Sequence, residues 1–274
     1  MSSAFYPFRN SRIHYFCWGN GPRLLFCFHG YGESAASFAL LEASLGEEFT
    51  LVAIDLPFHG ETEWAEDGCF DAAGCLAILQ DIAAGLPGRN PGWVMLGYSM
   101  GGRVALHLLG LAPEKISRLV LLAPDGLFVN PWYWLATRTH AGNRLFRWTM
   151  KKPGWLFFLL NTGNRLRLVN RSLFKFAAHY IDDEAERKAL YTRWTTMRLF
   201  RPRLRVLIAL IRQRSISVRL FYGKFDRIIR SRRGERFIQR IQPFGQLDLL
   251  AAGHALLQPK FIEVISNAVY LPLN

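Results

Sequence analysis

Short apolar stretches recur along the chain with helical patterns between them. Residues 12–18 and 24–28 are rich in aromatic and aliphatic side chains, with turn-forming residues 19–22 between, which reads as a hairpin entering a sheet. Further strand-like runs lie at 51–54, 93–96, 119–122, 218–222 and 247–251. Helical periodicity in 35–45, 72–86, 100–111, 232–241 and 256–271 separates most of them. Repetition of strand, helix and strand predicts an α/β fold built on a mainly parallel sheet with helices on both faces. One stretch, from about Leu127 to Ser217, breaks the alternation and is helix-like throughout. The expected organisation is a core of 1–126 and 218–274 with a helical lid, 127–217, inserted after the strand at 119–122.

Charge sharpens that division. The chain carries +13 in formal charge, and residues 127–217 hold 18 Lys and Arg against four acids, Asp182, Asp183, Glu184 and Glu186. The rest has 16 bases and 17 acids, so the insertion holds the whole excess. Its arginines interleave with aromatics such as Trp148, Trp155, Phe157, Phe174, Trp194 and Phe200, a pattern of helices with basic outer and apolar inner faces.

Composition removes several function classes. With 274 residues, half of them apolar, the chain can bury a core without disulfide or metal staples. Cys17, Cys27, Cys69 and Cys75 form no CxxC pair, and the seven histidines are scattered without an HxxxH pair, so packed thiols and no metal or cofactor site are expected. The longest apolar runs, 155–160 and 206–211, are about a third of the roughly 18 residues that a spanning helix needs. Residues 1–18 include Arg9, Arg12 and His14 and lack the apolar stretch of a secretion signal, which gives a cytoplasmic reading.

The candidate chemistry begins at 97–101, where the strand 93–96 runs into Gly97-Tyr98-Ser99-Met100-Gly101 with a helical pattern behind it. A G-x-S-x-G segment between strand and helix holds its serine on a sharp turn with the hydroxyl exposed. The following amide, of Met100, sits at a helix N-terminus, where it can meet a developing oxyanion.

With these residues the chain resembles the α/β-hydrolase superfamily of lid-bearing serine esterases. His29-Gly30-Tyr31-Gly32 after the strand 24–28 is similar to the family's HG loop, which implies Tyr31 as the second oxyanion-hole amide. Residues 55–60, Asp55-Leu56-Pro57-Phe58-His59-Gly60, look like the family's D-x-P-x-H-G segment, which shapes a loop and does no chemistry. A serine hydroxyl needs an imidazole to take its proton and a carboxylate to orient that imidazole. His254 follows the last strand, whereas His107, His140 and His179 look like helix residues. Asp226, in Gly223-Lys224-Phe225-Asp226, resembles the family's acid loop; Asp125, which closes the previous strand, competes with it. Arg227 and Arg230 beside Asp226 leave a plain surface ion pair as the other reading of that carboxylate.

The resemblance implies attack by Ser99 with His254 as base and Asp226 as its partner. A serine in place of an aspartate disfavours the dehalogenase and epoxide-hydrolase branches, and leaves ester, thioester and carbon–carbon bond hydrolysis open. A hydrolase-fold receptor that holds its ligand with little turnover is the reading from another class. In size, triad and lid bases the chain is similar to esterases of pimeloyl-carrier-protein methyl esters. The substrate is then a small-molecule or carrier-bound ester, with an acidic carrier protein at the basic lid. An anionic membrane surface, or a merely solvated basic face, is the competing use of that charge. Nucleic acid is disfavoured because no recognition motif accompanies the bases.

Overall fold

The computed structural model describes residues 2–86, 92–128, 130–165 and 182–270. Eight strands form one sheet: β1 (Ser2–Phe8), β2 (Ser11–Trp18), β3 (Arg23–Phe28), β4 (Phe49–Ile54), β5 (Trp93–Tyr98), β6 (Ile116–Leu122), β7 (Ser217–Gly223) and β8 (Gly245–Leu250). Their spatial order is β1-β2-β4-β3-β5-β6-β7-β8. The first two pairings are antiparallel and the rest parallel. Every residue of β4 and β5 is buried, as parallel strands covered on both faces require, and this explains their unbroken apolar runs.

The described helices are α1 (Glu42–Leu45), α2 (Ala72–Gly85), α3 (Met100–Leu111), α4 (Pro131–Arg138), α5 (His140–Lys151), α6 (Gly154–Arg165), α7 (Glu184–Thr196), α8 (Leu204–Arg214), α9 (Arg232–Ile241) and α10 (Ile262–Tyr270). Two groups flank the sheet. The 3-10 segment Ala35–Leu41, α1 and α10 pack together on β2 to β4 and β6, while α2, α3, α8 and α9 form the other group over β3, β5, β6 and β8. The chain leaves β3 toward β4 and returns, through α2, to the other side of β3 as β5. Loops after β3 and β5 therefore diverge and open a crevice at the carboxyl edge, the place where such sheets bind ligands. The register aligns Phe28 with Gly97, Tyr98 with Leu122 and Gly223 with Leu250, so the loops that follow emerge along that same edge.

Two expectations change. The hairpin lies one strand earlier: β2 pairs with β1 across a turn in which Arg9 has φ 55°, and β3 lies deep in the sheet between β4 and β5. β1 escapes a pattern reading because it is a half-exposed edge strand that includes Pro7, a residue tolerated only at such an edge. The chain also divides into compact units of Met1–Phe128 with Leu199–Asn274 and, separately, Val129–Arg198. The inserted unit is thus shorter than 127–217, because α8 packs on α3 and α9 and buries Leu207, Ile208 and Ile211. Helical period and basic charge cannot tell a helix of the sheet's outer layer from one of an insertion.

Within the second unit, α4, α5 and α7 pack on one another through Phe146, Tyr191 and Trp194, with Tyr133 edge-on to Trp194. Phe174, His179 and the helical reading of 166–181 lie outside the described residues.

Candidate active site

The turn from β5 into α3 sets the first element of the site. Ser99 has φ 49° and ψ −112°, a strained conformation for a residue with a side chain. Packing enforces it: a Cβ on Gly101 would lie 1.9 Å from the Phe28 carbonyl oxygen, so the start of α3 can press against the end of β3 only with glycine there. The Ser99 carbonyl accepts from the Gly102 N–H (3.0 Å) and the Asp125 N–H (2.8 Å). In a trans peptide the next N–H points the opposite way, so the Met100 N–H is directed away from these donors, at a helix end that offers it no intrahelical acceptor.

A similar device orients Tyr31. The Leu56 N–H donates to Nε2 of His29 at 3.0 Å, which makes Nδ1 the protonated nitrogen, and Nδ1 donates to the Gly30 carbonyl at 2.8 Å. Gly30 also accepts from the Glu33 N–H at 3.3 Å, so the Tyr31 N–H faces the other side of that peptide plane.

Three side chains from three loops converge. Nε2 of His254 lies 3.0 Å from Ser99 Oγ, and Nδ1 lies 2.8 Å from Asp226 Oδ2. With the carboxylate accepting from Nδ1–H, Nε2 carries the lone pair and accepts from the serine hydroxyl. The acid and histidine loops are stitched together, Lys224 N–H to the Leu250 carbonyl at 2.8 Å and Phe225 N–H to the Ala252 carbonyl at 2.9 Å. The Asp226 side chain has no solvent exposure. Burial alone would push its carboxyl up, but the His254 hydrogen bond, with the Ile229 and Ile228 N–H groups on Oδ1 at 3.0 and 2.7 Å, holds it below its ordinary value.

The rival carboxylate is engaged elsewhere: Asp125 pairs with Arg103 at 3.3 Å, and its backbone braces the serine turn. Among the described residues Asp226 forms no ion pair with Arg227 or Arg230. A second histidine–carboxylate pair, His14 Nδ1 to Asp55 Oδ2 at 2.8 Å, is fully buried; Asp55 also accepts from the Ala35 and Glu61 N–H groups and ties loops together. Tyr98, the variable position of the serine motif, also reaches the site. Its ring lies against His254 with centroids 5.6 Å apart, and its hydroxyl donates to the His254 carbonyl at 3.4 Å. Burial, with the Glu33 and Asp226 charges nearby, pushes that phenol up to about 12, so it stays neutral at physiological pH. Its position directly before the serine was the available signal.

A doubly grouped α/β sheet with a strained serine turn at its carboxyl edge defines an α/β hydrolase. The chain belongs to the alpha/beta hydrolase family, whose sequence profile matches residues 24–262. Over 124 residues it is 36% identical to a pimeloyl-[acyl-carrier protein] methyl ester esterase of Nitrosomonas europaea, covering 44% of this chain and 46% of that one. An esterase of Mycobacterium tuberculosis is 33% identical over 108 residues, 38% of this chain and 33% of its own. The chain thus matches less than half the length of these two relatives. The structure of a thermophilic esterase from Thermogutta terrifontis superposes with a TM-score of 0.66 at 20% identity, covering 98% of this chain and 97% of that one. No helix among the described residues is long and apolar enough to cross a membrane.

Proposed function

We propose that the chain is a carboxylic ester hydrolase working through an acyl-Ser99 intermediate, with thioesters within its range, and that its ester is borne by an acidic carrier protein. The observation that carries the first part is the continuous line from Ser99 Oγ through His254 to the buried Asp226. Ser99 Oγ attacks the carbonyl carbon as Nε2 of His254 accepts its proton, and Asp226 stabilises the imidazolium. The Met100 and Tyr31 amides hold the oxyanion. Collapse expels the alcohol with the proton from His254; water, deprotonated by the same nitrogen, then releases the acid.

The likeness to a carrier-protein ester esterase supports the second part, and so does the charge of the second unit. Residues 130–165 carry six Lys and Arg and no acid. In this reading the unit plays the part of the family's lid.

Ser99→Ala should lower kcat on a p-nitrophenyl ester by about 10⁶. It should leave Tm within a few degrees of the parent. Full activity in that variant would overturn the assignment, and fast fluorophosphonate labelling without turnover on any ester would favour a receptor. A carrier-bound methyl ester should lose rate steeply as salt rises, and the same ester free in solution should not.

A further inference from the structure

Resting on the carrier reading above, we infer that the loop bearing Asp226, together with the first turns of α9, is a docking surface for an acidic, partly apolar face of the carrier protein. Residues 224–236 contain six cations, Lys224, Arg227, Arg230, Arg232, Arg233 and Arg236, and all are exposed. The two acids in the same stretch are already committed. Asp226 is buried on His254, and Glu235 accepts from the Ser231 hydroxyl at 2.6 Å. Among the described residues none of the six cations pairs with a carboxylate; Arg233 lies instead over the ring of Phe128, 4.6 Å from its centroid. The charge total for the chain outside 127–217 hides this cluster, because acids elsewhere in the core cancel it.

Two features argue for a partner over plain solvation. Arg232 and Arg233 stand in the first turn of α9, where the helix dipole disfavours cations, so their placement works against folding. On the same loop Phe225 and Ile228 leave 64% and 65% of their surface in water. Exposed apolar side chains interleaved with cations along one loop suit a partner surface that offers both acidic and apolar groups.

The loop holds these groups in fixed positions. Asp226 Oδ1 accepts from the Ile228 and Ile229 N–H groups, and the Asp226 N–H donates to the Gly223 carbonyl at 3.1 Å. One carboxylate thus orients His254 through Oδ2 and shapes the docking loop through Oδ1. A carrier that delivers its acyl group to Ser99 must approach this edge of the sheet, and the cations stand one to ten residues beyond the carboxylate that touches His254, or two before it. A bilayer would call for more than two exposed apolar side chains here, so a protein partner is the occupant favoured.

The test compares kcat/KM for a methyl-ester acyl group loaded on an acidic acyl carrier protein with that for the same ester free in solution. The proteins are the full chain, its R230E/R232E/R236E variant, the corresponding Gln variant and I228S. Carrier binding by anisotropy and sedimentation with phosphatidylglycerol vesicles are read alongside. The expected result is a loss of at least about tenfold on the carrier-bound ester in the Glu variant, less in the Gln variant, a shallower salt dependence in both, and free-ester rates within about twofold of the parent. Unchanged carrier-bound rates and binding in the Glu variant would overturn the surface and leave the carrier reading standing. A parent enzyme that neither binds the carrier nor prefers its ester would overturn both. Loss of vesicle binding with carrier kinetics intact would replace the protein partner with a membrane.

Discussion

Two carboxylates competed for the same part, and their surroundings separate them. Asp226 is sealed from solvent and bonded to His254, whereas Asp125 is partly exposed and paired with Arg103. Asp226→Asn should therefore lower kcat by about 10⁴, as expected when the imidazole loses the partner that fixes its tautomer. Asp125→Asn should cost less than about tenfold, since it leaves that partner in place. A swapped ranking in ester kinetics would make Asp125 the partner of the imidazole. The depressed carboxyl of Asp226 also has a consequence for stability. Its contribution is fully present above its ordinary value of 3.8 and disappears as pH falls through the lower folded value. Urea titrations of the parent and of Asp226→Asn should differ most above pH 3.8 and converge in stronger acid. Ser99 could be read from spacing because its geometry is local, a turn between strand and helix. The roles of Tyr98 and His29 could not, since each depends on a partner brought close by folding, His254 in one case and Leu56 in the other.

Elements with a strong pattern were legible, and those defined by their neighbours were not. Strands β3 to β7 appear as short apolar runs because most of their residues are buried. β1 carries no such signal at the sheet edge, and α8 shares the helical period and basic charge of the insertion although its apolar face belongs to the core. Ile211, fully buried on α8, provides a check on that boundary. Ile211→Ala should cost about 2–5 kcal/mol in denaturant unfolding, the range for truncating a packed core side chain. A change below about 0.5 kcal/mol would return α8 to the periphery. Gly101→Ala should be equally damaging, at about 3 kcal/mol or more, because its Cβ would overlap the Phe28 carbonyl and no flexible side chain is there to yield. Near-parental stability in that variant would mean that β3 and α3 are less closely apposed than the structure has them.

For the whole molecule, charge and chemistry are laid out on different principles. The proposed triad depends on a few tenths of an ångström across three loops, while the proposed docking cations would act at range and need only share a face. The basic insertion stands out in the charge of its segment, whereas the cluster at 224–236, next in sequence to Asp226, is cancelled by acids elsewhere in the core. In the proposed function, that juxtaposition ties partner capture to the residue that orients the base. Beneath all of it is the claim that Ser99 is a nucleophile activated by His254. The most direct measurement is the rate at which a fluorophosphonate labels the Ser99 peptide, followed by mass spectrometry in the parent and in His254→Ala. Rapid labelling of Ser99 in the parent, slowed by at least about 10³ in the variant, is the expected result. Equal rates in the two proteins, or modification of the parent at any other residue, would contradict it.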